Sequence, residues 1–547
     1  MPSANRNYQL IAAEKKAQQW EKIPDQWRIP MENFEGMTYL MDVPLHCGVL
    51  SDTEIEITSD YDATALLEKL KARVWSVEQV TVAFCKRAAL AQQLTNCLTE
   101  IFFDEAIERA KDLDRQFISN LDSKALPPLF GLPISLKDSF DVAGYDTSTG
   151  LGCYVDQPAE SNSALAALLI DLGAVLYCKT NLPQAIMTGD SHNNVFGRTL
   201  NPRNTLLTAG GSTGGEGALI ALRGSILGVG TDIAGSIRIP SLCNGIYGFR
   251  PSVGLIPHGG VRDLTPPGTD GVRSTAGPMA TSARDCSLFL KAILQADTWK
   301  YDSTAISLPW QGLPSMRKLR IGVVQNDGIY TPTPPVRRGL QKAVNLLNST
   351  DGVETISIDL PSVLEIYRDL VAYMMLLGNN YYQEQFARTG EPVIPSLKAT
   401  GLLSVPGTTL EGFFNLNDRR SKAAKAYLKL FCDNQIDAII MPPSQHTALP
   451  LDCWKTATYT SLWNYLDFPA VVIPVDEVAD IDHADDLTRA EFGAEDKEMY
   501  SLYTGPDQYK RAPVAVQVVG YRHRDEALMR VVEVLDLINH KQSLVKG

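Results

Sequence analysis

The sequence predicts an α/β fold with parallel strands, and three observations carry that expectation. From Leu129 onward short apolar runs alternate with helical segments: GLPISLK, SALAALLIDLG, AVLYCK, GEGALIALRG and SILGVG. Alternation of this kind is the pattern of strand–helix–strand units. The composition is that of a packed globular chain: 547 residues, 44% hydrophobic and 21% charged. Disordered, collagen-like and coiled-coil classes are thereby excluded. Further strand candidates follow at Leu319–Val324, Ile436–Met441, Ala470–Val475 and Val514–Val519.

Taken in order, residues 1–60 read as an N-terminal arm. Lys15–Lys22 is a short polar helix candidate, and Pro24, Pro30 and Pro44 keep the following chain irregular. Residues 62–116 read as helices. Ser76 and Gln79 form a capping-box pair before a helical apolar spacing that runs to Leu94. Gly173 stands where a helix should end, and Ala174–Cys178 enters the sheet. Pro335–Leu347 is a helix candidate. Asp476–Glu498 holds ten acidic residues against Arg489 and Lys497 and reads as a solvated insertion. It fails as a calcium loop, because Ala484 stands at the third ligand position of Asp480–Ala484.

Charge and cysteine content narrow the function classes. A net charge of −13 lacks the electrostatic footprint of a nucleic-acid binder. No apolar run approaches the ~18 residues of a membrane span. The first twenty residues show no apolar segment of a secretory signal, and LVKG at the end carries no known address. Nine cysteines without a Cys-x-x-Cys pair read as reduced thiols of a cytoplasmic protein.

Chemistry concentrates in Gly210–Gly217 (GGSTGGEG) and Gly228–Pro240 (GVGTDIAGSIRIP). A dinucleotide fingerprint fails at Ile233, and no Gly-Lys-Ser/Thr marks a phosphate loop. Gly210–Gly214 does match G-x-S-x-G, which would make Ser212 the nucleophile of an α/β-hydrolase with His446 or His523 as base. Asn204–Ala209 is a poor strand for such an elbow. No His-Glu-x-x-His and no Cys/His ligand cluster occurs, so neither metal nor cofactor is expected.

A reading that uses both glycine-rich stretches adds Gly131–Asp138 (GLPISLKD). With Lys137, Ser212 and Ser236 in that order, and with 24 residues from Ser212 to Ser236, the chain resembles the amidase signature family of serine hydrolases. KTNLPQ (179–184), FGRTLNP (196–202) and APVAVQVVG (512–520) extend the resemblance from about residue 60 to the C-terminus. AFCKRAALAQQLTNCLTE (83–100) and WKYDS (299–303) resemble the fungal acetamidase-like branch.

The resemblance implies one catalytic domain over 61–547, in place of the three or four domains that length alone suggests at ~150 residues each. It implies a large mixed sheet flanked by helices on both sides. It further implies a Ser–Ser–Lys triad, with Ser236 attacking the amide, Ser212 relaying the proton and Lys137 as base. The Gly211–Ser212 bond is expected cis. Backbone N–H groups of Ile233, Ala234, Gly235 and Ser236 would hold the oxyanion. Asp232 and Arg238 would brace that turn, Thr213 would lend a supporting hydroxyl, and Ile186, Met187 and Gly211 would meet the substrate.

The chemistry fits these residue types. A serine hydroxyl needs a base. A lysine serves only when its amine is neutral, and burial lowers its pKa; Lys137 sits in an apolar run. Alone it would favour a Lys137–Asp138 surface pair, since most lysines are solvated; its place among the three blocks reverses that. Ala234 replaces the family's usual glycine, which would strain the turn if φ were positive there. The expected substrate is a small-molecule amide, with a homodimer through the arm left open. The competing family role is an ammonia-releasing amidotransferase subunit, which would need partner subunits and tRNA.

Overall fold

The computed structural model describes residues 7–119, 126–266, 268–312 and 318–546. Its strands are β1 (Leu98–Ile101), β2 (Pro133–Lys137), β3 (Val175–Thr180), β4 (His192–Asn193), β5 (Gly197–Arg198), β6 (Leu227–Asp232) and β7 (Tyr247–Arg250). Then come β8 (Thr275–Ala280), β9 (Leu319–Val323), β10 (Val353–Ser357), β11 (Ala438–Met441), β12 (Ala470–Glu477) and β13 (Pro513–Val519). Eleven of them form one sheet in the order β1-β3-β2-β6-β8-β7-β12-β13-β11-β9-β10, and β4 and β5 make a separate hairpin.

The sheet is mixed. β3, β2 and β6 run parallel at one end, and β11, β9 and β10 at the other. Between them β6, β8, β7, β12, β13 and β11 pair antiparallel. The expected parallel units are present; β7, β8 and β10 carry no alternation strong enough to be read beforehand. Every residue of β2, β3, β6, β7, β8, β11 and β13 is buried. Burial of both faces means that helices cover both sides. Helix Val77–Thr95 packs on Phe103–Ser119 and Gly214–Ala221, and Ala283–Leu294 packs on Asp525–Lys546.

Several expectations need correction. Residues 98–101, read as helix, form β1, because this short segment finds a partner in β3. The arm helix is Tyr8–Glu21, longer than expected, and it is docked: buried Lys15 reaches Glu100 at 2.6 Å and Asp146 at 3.0 Å. The acidic stretch is not simply solvated. Asp482 and Asp476 hold Arg338, each at 2.7 Å, and buried Asp496 accepts the N–H and hydroxyl of Thr331. The Ser76 capping box forms as expected. No helix among the described residues is long and apolar enough to cross a membrane.

Candidate active site

Lys137 ends β2, and Thr231 lies near the end of the neighbouring parallel strand β6. The crevice beyond the carboxyl ends of parallel strands is where such sheets place ligands. Lys137 is fully buried, which excludes the surface-pair reading. Its Nζ donates to Ser212 Oγ at 2.7 Å and to Thr231 Oγ1 at 2.9 Å. Burial pulls the amine down to about 7, against the opposing pull of Asp263, Asp232, Asp138 and Glu216. Asp138 turns elsewhere, to Thr99, Ser148 and the Thr149 N–H.

The Gly211–Ser212 peptide bond is cis. Ser212 is buried, and helix Gly214–Ala221 starts two residues later. The Thr213 N–H donates to the Ser236 carbonyl at 3.2 Å, tying the two serine segments together. Its hydroxyl contacts the Thr231 carbonyl at 3.4 Å. Residues 199–211 form no strand leading into Ser212, so the strand-to-helix elbow of a hydrolase is absent. His446 is packed against Tyr503 and Tyr509, and the N–H of His523 bonds Ser252 Oγ. His192 lies beside Arg198.

The turn after β6 is held by a buried ion pair. Arg238 Nε and Nη2 each reach the Asp232 carboxylate at 3.0 Å. Arg238 also donates to the Thr460 carbonyl and to Asn464 Oδ1. Burial opposes the charge on Asp232, but the guanidinium and the Arg238 and Asn464 hydrogen bonds hold its carboxyl well below the ordinary carboxylate range. Asp232 accepts the N–H of Gly235 at 2.8 Å and of Ile237 at 3.1 Å.

Gly235, expected to offer its N–H to the oxyanion, donates it to Asp232 in this structure. Its role is conformational, at φ +129°. The N–H groups of Ile233, Ala234 and Ser236 take no acceptor among the described residues. Ala234 is not among the residues with positive φ, so the feared strain is absent.

Ser236 lines a cavity of about 70 Å³ together with Gly211, Ile186, Met187, Ile233 and Ala234. Leu370, Val371, Met374, Leu402 and Trp454 complete its apolar wall. Ile186 takes φ +61°, rare for a β-branched residue. Thr231, Met374, Leu402 and Trp454 were not singled out beforehand. Only Thr231 had a local signal, as the residue before Asp232 in the second glycine-rich block. A neighbouring cavity of about 200 Å³ shares Ile233 and Met374 and contains the His258–Asp263 pair.

Fold and site define a class of amide hydrolases, and the comparisons with known proteins agree. The amidase family model matches residues 79–529. An amidase of Gibberella moniliformis is 37% identical over 97% of this chain and 99% of its own. An acetamidase of Aspergillus oryzae is 36% identical over 99% of this chain and 100% of its own. The solved structure of a fatty acid amide hydrolase superposes with a TM-score of 0.90 at 30% identity, over 97% of this chain and 95% of that one. The chain belongs to the amidase signature family and is an amide-hydrolysing enzyme.

Proposed function

We propose that the protein hydrolyses small carboxamides through an acyl-enzyme on Ser236. The observation that carries this reading is the 2.7 Å contact of buried Lys137 Nζ with Ser212 Oγ, beside the cavity that Ser236 lines. Neutral Lys137 takes the proton of Ser212, which takes that of Ser236 as Oγ bonds the amide carbon. In this reading the free N–H groups of Ile233, Ala234 and Ser236 receive the developing oxyanion. As the tetrahedral species collapses, the C–N bond breaks and Ser212 returns a proton to the leaving nitrogen. Water then repeats the cycle, releasing the carboxylate and restoring Ser236. These steps balance with protons and water alone.

The cavity supports a small acyl group. About 70 Å³ is half of the ~150 Å³ apolar cavity that holds benzene in a well-studied engineered protein. The Aspergillus oryzae relative, an acetamidase, points the same way. Nine unpaired cysteines support a reducing, cytoplasmic setting.

The test is ammonia release from acetamide, propionamide, benzamide and hexanamide across pH. Turnover should favour the smallest amides and rise with pH through about 7, because the base works only when neutral. Ser236→Ala should abolish it, and Ser212→Ala and Lys137→Ala should lower it by at least ~10². Retained turnover in Ser236→Ala would overturn the nucleophile assignment.

A further inference from the structure

Ser135 and Lys137 are two residues apart on β2 and share one face of the sheet. Glu216 lies against that face, four residues beyond Ser212. Its buried carboxyl accepts hydrogen bonds from Ser135 Oγ and, at 2.7 Å, from Thr180 Oγ1. Ser135 Oγ also contacts Ser225 Oγ at 2.7 Å. Thr180 is the register partner of Lys137 on β3. Gly228, the register partner of Ser135 on β6, leaves the carboxyl its space; a Cβ there would overlap Glu216 Oε1. Three strands and a helix thus enclose a carboxyl group next to the base, and no step of the reaction above employs it.

We propose that Glu216 is a positioning residue for catalysis: a buried counter-charge that acts through Lys137 and raises the pH at which the amine becomes a base. This rests on the reading of Lys137 as the base. The other charged groups facing Lys137 are already engaged. Asp138 on its own strand takes Thr99, Ser148 and Thr149 and pairs with buried Lys179 at 3.6 Å, and Asp232 at the end of β6 takes Arg238. Asp263 in the loop after β7 pairs with His258 at 2.9 Å, and His258 also feels Lys137. Glu216 differs: its hydrogen-bond partners are hydroxyls, and the cation acting on it is Lys137. The titratable groups around it, Cys97, Cys178 and Tyr177, are kept neutral by burial. Burial also pushes the Glu216 carboxyl up to about 7, beside an amine brought down to about 7. Two such neighbours titrate as a coupled pair.

The experiment is the pH profile of the rate at which a fluorophosphonate labels wild type, Glu216→Gln, Thr180→Val and Lys137→Ala. Removing the carboxylate removes a charge that favours the ammonium. Glu216→Gln should therefore move the acid limb to lower pH by about 0.5–1 unit, less than the ~1–3 units of direct contact. Thr180→Val strips a hydrogen bond that favours the carboxylate and should move the limb the same way by a smaller step; it keeps the proposal testable if Glu216→Gln does not fold. A limb left in place in a folded variant, whatever its melting temperature, would assign Glu216 a merely structural role and overturn the proposal. Lys137→Ala separates the two readings. If it retains the wild-type limb, the base assignment itself fails; if it loses the limb while Glu216→Gln leaves it unmoved, only the present proposal fails.

Discussion

Replacing Asp232 by Asn changes one atom in the most heavily bonded carboxylate near Ser236. Oδ1 accepts from Gly235 N, Arg238 Nη2 and Asn464 Nδ2; Oδ2 accepts from Ile237 N and Arg238 Nε. Either orientation of the Asn amide points its NH₂ at several N–H donors and leaves the buried guanidinium of Arg238 without a counter-charge. Breaking a buried pair from one side costs ~3–5 kcal/mol. At ~2.1 cal/mol/K per residue, 547 residues unfold with an entropy of about 1.1 kcal/mol/K, so the melting point falls by only about 3–4 °C. Urea titration is the better assay of stability. The carboxyl is held below its unfolded value, so its contribution is present above pH ~4 and is lost as pH falls toward the folded value. Wild type and variant should therefore converge in acid. The turn carrying the free N–H groups of Ile233 and Ala234 loses its anchor at Gly235, so kcat/KM should drop by ~10²–10³, mostly in kcat. Combined with Arg238→Gln, the losses should fall short of additive by ~1–3 kcal/mol. A loss under ~1 kcal/mol with kcat/KM within about twofold of wild type would refute the claim that this pair holds the turn.

Three further outcomes are expected. Ile186 sits at φ +61°, so Ile186→Gly should be more stable in urea than Ile186→Ala by ~1 kcal/mol, reversing the order found at ordinary positions. Burial pushes Glu391 up to about 7 despite hydrogen bonds from Gln184, Asn194 and the Gly152 N–H. The stability from its bound proton is fully present below pH ~4.3 and lost as pH rises through about 7, so between pH ~4 and pH ~8 the difference in urea stability should move in favour of Glu391→Gln over wild type by up to about 3 kcal/mol. Met374→Ala opens the wall of the cavity; relative kcat/KM for hexanamide over acetamide should rise about tenfold or more in the ammonia assay, and an unchanged ratio would remove Met374 from the acyl wall.

Much of this enzyme is written locally. The glycine-rich blocks, the lysine closing an apolar strand and the serines 24 residues apart are short-range patterns, and they suffice for the family and for candidate residues. So does the Ser76 capping box, whose partner lies three residues away. Other features exist only once distant segments meet. β7 and β8 become strands because β6 and β12 offer them edges to pair with. Residues 98–101 do so beside β3. The bond from the Gly235 N–H to the Asp232 side chain three residues back is likewise decided by the folded turn. Leu370, Met374, Leu402 and Trp454 come from far along the chain, and their meeting sets the size of the cavity beside Ser236. Local sequence fixes which groups can react. Long-range packing fixes which of them lose water, and desolvation is what lowers the Lys137 amine and raises the Glu216 carboxyl.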